Sequence, residues 1–142
     1  MKILVAGATG TVGRNLVEQL FEMGHGVRAL TRNAAKANFP AGVEVIEGDL
    51  TNPASFAHAL EGVTGLHLIN FGGDDFAPLQ TGAEIIALAE RVGVKRVTVL
   101  GNGQKTTVEN AVEASSMAWT LLGPVEFMSN MLEWAHGIQT NG

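Results

Sequence analysis

The first fourteen residues constrain this chain more than any other stretch. An apolar run, Lys2-Ile3-Leu4-Val5-Ala6, leads straight into Gly7-Ala8-Thr9-Gly10-Thr11-Val12-Gly13, after which Val12, Leu16, Val17, Leu20 and Phe21 recur at helical spacing. A buried strand, a glycine turn and a helix in that order set the unpaired N–H groups of the helix, and the positive end of its dipole, above the strand end. A diphosphate is the natural occupant of such a place. The spacing is G-x-x-G-x-x-G, not the G-x-G-x-x-G of the dehydrogenase fingerprint. Gly7 is expected to allow the sharp exit from the strand, Gly10 to let backbone approach phosphate, and Gly13 to let the helix pack closely on the sheet. The competing reading is an ordinary β–α turn that favours glycine.

The rest of the chain keeps the same rhythm. Strands are expected at Lys2–Ala6, Val27–Thr31, Val43–Glu47, Gly65–Asn70, Val94–Leu100 and Trp119–Leu122. Helices are expected at Val12–Met23, from Pro53 to about Glu61 behind a Thr51 or Asn52 cap, at Pro78–Val92, near Lys105–Ser115, and at Glu126–Ala135. Alternation of this kind predicts an α/β fold: a three-layer, doubly wound parallel sheet of strand order 3-2-1-4-5-6. Its ligand crevice should lie at the carboxyl ends of strands one and four. Apolar residues make up 46% of the 142 and charged residues 16%, which suits strands buried on both faces of a single domain.

Several function classes fall away. The formal net charge is −5 and the nine Lys and Arg do not cluster, so a nucleic-acid surface is not expected. Without cysteine there is no disulfide framework, thiol nucleophile or thiolate metal site. His25, His58, His67 and His136 lack metal-ligand spacing, so no metal is expected, and Ser115-Ser116 has no paired base. The opening apolar run is too short for a signal-peptide core or a membrane span; a soluble, cytoplasmic protein away from membranes is the expectation.

Cofactor choice turns on the end of strand two. An NAD-type fold carries an acidic residue there to hold the ribose hydroxyls. This chain has Thr31-Arg32-Asn33. A guanidinium pairs with a 2′-phosphate and offers a free 2′-hydroxyl no acceptor, so NADP(H) is expected over NAD(H). The alternative is that Arg32 is a solvated loop charge. Asp49 and Leu50 follow strand three, where an acceptor can meet the adenine amino group. Asn70, Phe71 and Gly72 follow strand four, on the adenosine and nicotinamide-ribose side; both stretches are also ordinary turn formers. The candidate cofactor-binding set is therefore Gly7, Thr9, Gly10, Thr11, Val12, Gly13, Thr31, Arg32, Asn33, Asp49, Leu50, Asn70, Phe71 and Gly72. Asp74-Asp75 reads either as part of a substrate mouth or as a solvated pair.

Gly7–Gly13, Val27–Arg32, Glu47-Gly48-Asp49-Leu50 and Trp119–Asn130 together resemble the NmrA-like branch of the atypical short-chain dehydrogenases/reductases. Gly123 departs from that branch, which carries arginine there. The resemblance implies either an NAD(P)H-dependent reductase of a small electrophile such as a quinone, or a non-catalytic NADP(H)-sensing regulator. It also implies a substrate-covering lobe after a Rossmann portion, so residues 1–142 are expected to be that portion alone. Lys105 resembles the lysine that positions the nicotinamide ribose; the alternative is a solvated residue at a helix start. The chain has no tyrosine, hence no Tyr-x-x-x-Lys proton donor, which argues against ordinary carbonyl reduction more than against quinone reduction. Trp119, Met128, Met131 and Trp134 read as core or covered surface, or as a face for a hydrophobic acceptor. An exposed apolar C-terminal helix would favour self-association.

Overall fold

In the computed structural model, which describes residues 1–124, the strands are β1 (Lys2–Val5), β2 (Gly26–Thr31), β3 (Glu44–Glu47), β4 (Gly65–Ile69), β5 (Phe71–Gly72), β6 (Ala77–Pro78), β7 (Arg96–Leu100) and β8 (Ala118–Leu122). Six of them form one sheet in the order β3-β2-β1-β4-β7-β8. Every pairing in it is parallel, with Val5 opposite both Ala29 of β2 and His67 of β4. Counted within this sheet alone, the order is the doubly wound 3-2-1-4-5-6. β5 and β6 make a separate antiparallel hairpin. The α-helices are α1 (Thr11–Glu22), α2 (Gly82–Arg91) and α3 (Thr107–Ala114).

Successive strand residues point to opposite faces, so the sheet divides the core in two. Val5, Val27 and Ala29 pack with Val17, Leu16, Leu20 and Phe21 of α1. Leu4, Leu30, Leu66, Leu68, Val97 and Val99 pack on the other face with Ile85, Ile86 and Ala89 of α2 and Val108 and Val112 of α3. Three layers result, as the alternation predicts. The edge strand β8 differs: all five of its residues are exposed.

Two expected helices are corrected. Pro53–Glu61 is not one α-helix but two short 3-10 turns, Pro53–Ser55 and Ala57–Leu60. Between them Phe56 leaves helical geometry, at φ −127° and ψ 7°, and its ring is fully buried. Arg28 then takes the carbonyls of Ala59 and Glu61 at 2.6 and 2.7 Å, so those acceptors serve the sheet edge, not a helix. The helix expected from Pro78 begins only at Gly82. Pro78 and Ala77 instead pair with Phe71 and Gly72, and the segment stays extended because Leu79 N–H donates to Asn70 O while Thr107 Oγ1 donates to Leu79 O. The helix expected at Glu126–Ala135, with Met128, Met131, Trp134 and His136, lies outside the described residues. Among the described residues no helix is long and apolar enough to cross a membrane.

Candidate functional site

The turn after β1 is built almost wholly from main chain. Gly7 sits at φ +62°, a conformation that favours glycine, and the Gly10 N–H returns to its carbonyl at 2.9 Å. α1 then starts at Thr11 with no side-chain cap and no acidic residue in its first turn. The first helical bond runs from Arg14 N–H to Gly10 O. The amides of Thr11, Val12 and Gly13 therefore have no partner among the described residues. A Cβ on Gly13 would stand 2.2 Å from Gly7 O and 2.9 Å from Ala8 Cα. The third glycine thus closes the turn on itself, rather than packing the helix against the strands. Free amides, a bare helix start and a cradle that a Cβ would fill suit a diphosphate.

From this turn a cleft of about 820 Å³ runs along the carboxyl ends of the large sheet, lined by residues that follow all six strands. That is the upper end of what small-molecule sites occupy, roughly 300–1,000 Å³. The residues after β1, Gly7, Thr9, Gly10, Thr11, Val12 and Gly13, all line it. So do Thr31, Arg32 and Asn33 after β2, Asp49 and Leu50 after β3, and Phe71 and Gly72 after β4. Thr9 and Thr31 join their hydroxyls at 3.3 Å, tying the glycine turn to the end of β2. Asn33 caps a short 3-10 turn, Ala34–Lys36, by accepting from Ala35 N–H at 3.0 Å. One oxygen of Asp49 is occupied by the backbone N–H and hydroxyl of Thr51, both at 2.8 Å. Arg32, at the rim, pairs with Asp74 at 2.7 Å.

Two candidates lie elsewhere. Asn70 is buried beneath the cleft instead of lining it, and its amide donates to Glu109 Oε1 at 2.7 Å and to Gln104 O at 3.2 Å. Burial pushes the Glu109 carboxyl up. The hydroxyl and N–H of Thr106, with the other bonds it accepts, outweigh that and hold it below the usual carboxylate range. This network pins the loop after β7 to the start of α3. Lys105, expected at the nicotinamide ribose, is outside the lining; its ammonium is engaged by Glu113 at 2.5 Å.

Sequence reasoning missed other lining residues: Lys36, His67, Ile69, Phe76, Leu100, Gly101 and Asn102 among them. His67 had a signal, a lone imidazole in the apolar run Leu66-His67-Leu68. It is buried, its Nδ1 meets Thr98 Oγ1 at 2.8 Å, and its Nε2 has no partner among the described residues. Burial lowers its pKa to about 4, so the ring is neutral. Lys36 adds a second cation on the Arg32 side, and its sequence surroundings gave no sign of that.

Residues 7–104 match the family described as NAD(P)H-binding. The chain belongs to that family. Within it, the likeness to NmrA-like, atypical short-chain reductases stands. The NAD(P)H azoreductase of Xenophilus azovorans is 34% identical over 99% of this chain and 53% of its own length. A solved NADPH complex of the NADPH-dependent quinone oxidoreductase of Escherichia coli is 27% identical, with a TM-score of 0.76 over 96% of this chain and 53% of that one. The Citrobacter triphenylmethane reductase complexed with NADP(H) shares the fold, with a TM-score of 0.77 at 24% identity over 100% of this chain and 56% of that one. The chain spans about half the length of the curated relatives it matches.

Proposed function

We propose that this family member takes NADP(H) in preference to NAD(H), and that the whole protein is an oxidoreductase acting on a small hydrophobic electrophile such as a quinone or azo compound. One observation carries the cofactor choice: Arg32 and Lys36 line the cleft rim after β2, where an NAD-type site presents a carboxylate. In this reading the amides of Thr11, Val12 and Gly13 hold the diphosphate, Arg32 takes the 2′-phosphate, and Asp49 and Leu50 border the adenine. Phe71 and Gly72 lie along the adenosine side. Bound NADPH supplies the hydride. The chain's own contribution is orientation of the nicotinamide against the acceptor, and since it holds no tyrosine to act as proton donor the reduced acceptor takes its proton from water. The names of the azoreductase and the quinone oxidoreductase support the electrophile class.

Calorimetry on the full-length protein tests the cofactor assignment. Arg32→Ala should weaken NADP⁺ by about tenfold or more, the loss of charge-assisted bonds, and leave NAD⁺ nearly unchanged. Equal loss for both cofactors would overturn it. Oxidation of NADPH followed by absorbance across quinone and azo acceptors tests the reaction class. Tight NADPH binding without turnover on any of them would favour the sensing role.

A further inference from the structure

The Arg32–Asp74 pair is the only side-chain hydrogen bond Arg32 makes among the described residues, and Arg32 itself lines the cleft. Arg32 Nη1 stands 2.7 Å from Asp74 Oδ1, joining the end of β2 to the tip of the β5–β6 hairpin across 42 positions of sequence. Both groups are open to water, with Asp74 fully exposed. The neighbouring carboxylate is engaged within the hairpin, where Asp75 Oδ1 accepts from Ala77 N–H at 3.2 Å and shapes the turn itself. The tip is further defined by Gly73 at φ +71° and by the Phe71 and Phe76 rings, 6.0 Å apart. Asp74 is thus delivered to the guanidinium by a formed turn, not by a free tail.

We infer that Asp74 is a cofactor-specificity residue: a carboxylate from the hairpin that occupies the guanidinium intended for the 2′-phosphate and restrains the preference for NADP(H). The inference rests on the proposed role of Arg32. Two effects act in one direction. A 2′-phosphate carries between one and two negative charges near neutral pH, so it must displace the Asp74 carboxylate and then remain near it. A free 2′-hydroxyl is a donor, and Asp74 is an acceptor placed beside the residue where NAD-type folds carry their own acid. The carboxylate missing from the end of β2 is returned to the same rim from a distant loop. The seat accordingly suits NAD(H) better, and NADP(H) less well, than Arg32 alone would.

The test is calorimetric titration of the full-length protein with NADP⁺ and with NAD⁺. Five proteins are compared: wild type, Asp74→Asn, Asp75→Asn, Arg32→Ala, and the Arg32→Ala/Asp74→Asn double variant that closes the cycle. Asp74→Asn should raise the ratio of NADP⁺ to NAD⁺ affinity by about two- to fivefold, the range open to an exposed ion pair. Asp75→Asn should leave the ratio unchanged, and the Asp74 effect should shrink in the Arg32→Ala background, where competition for the guanidinium is gone and only repulsion of the phosphate and acceptance from the hydroxyl remain. An unchanged or lower ratio in Asp74→Asn, while Arg32→Ala still weakens NADP⁺, overturns this inference and spares the Arg32 assignment. Unchanged NADP⁺ affinity in Arg32→Ala overturns both.

Discussion

Acidification is the perturbation that most directly reads the site's buried histidine. His67 is 3% exposed, hydrogen-bonded only through Nδ1 among the described residues, and its pKa falls from 6.5 to about 4 because burial disfavours the imidazolium. The sign follows from proton counting. Between those values the unfolded chain binds a proton that the folded chain refuses, so stability rises with pH across the window. The contribution is complete above pH 6.5, is lost progressively as pH falls, and levels off below about 4. The gap corresponds to about 3 kcal/mol, a large share of the roughly 5–15 kcal/mol typical of a domain. Urea denaturation from pH 7.5 to 4 on wild type and His67→Gln isolates it. Glu44 and Glu109, whose carboxyls are also held low, lose stability on acidification in both proteins and cancel in the difference. Wild type should lose about 3 kcal/mol more than the variant between about pH 7 and pH 4. Parallel curves would refute the argument and mean that the imidazolium finds a partner in the fold.

Two further outcomes are expected. Gly13→Ala places a methyl carbon 2.2 Å from Gly7 O, a backbone atom that cannot swing aside, so the start of α1 must retreat from the turn. NADP⁺ binding measured by calorimetry should weaken by at least about tenfold, equivalent to about 1.4 kcal/mol; unchanged affinity would remove the glycine turn from the binding site. Asn70→Ala strips a bond from the Glu109 carboxylate and another from Gln104 O. Urea denaturation should show a loss of about 2–3 kcal/mol with faster amide exchange at residues 101–104. A loss below about 0.5 kcal/mol would show that the network does not hold the loop.

What was legible in the sequence divides along a physical line. The glycine turn, the strand order and the helix stripes are written in consecutive residues: period and punctuation encode them, and the six-stranded sheet follows. Element ends set by distant partners were not readable. Nothing in Pro53–Glu61 announces that Phe56 must turn into the core or that Arg28 will take two of the segment's carbonyls. Pro78 has the look of a first-turn residue, yet Thr107 and Asn70 hold its neighbour Leu79 extended. Asn70 and Lys105 follow β4 and β7 along the chain, but their side chains turn to Glu109 and Glu113.

The same line runs through the cleft. Its glycine-turn end is main chain, so local sequence specifies it almost completely. Its opposite rim is side chain from separate elements, Arg32 and Lys36 after β2 and Asp49 after β3, with Asp74 on the hairpin paired to Arg32. Such a division lets the two ends change independently. Substitution at the hairpin tip should shift the ratio of the two affinities without disturbing the amides of Thr11, Val12 and Gly13, because no hydrogen bond among the described residues links the two directly.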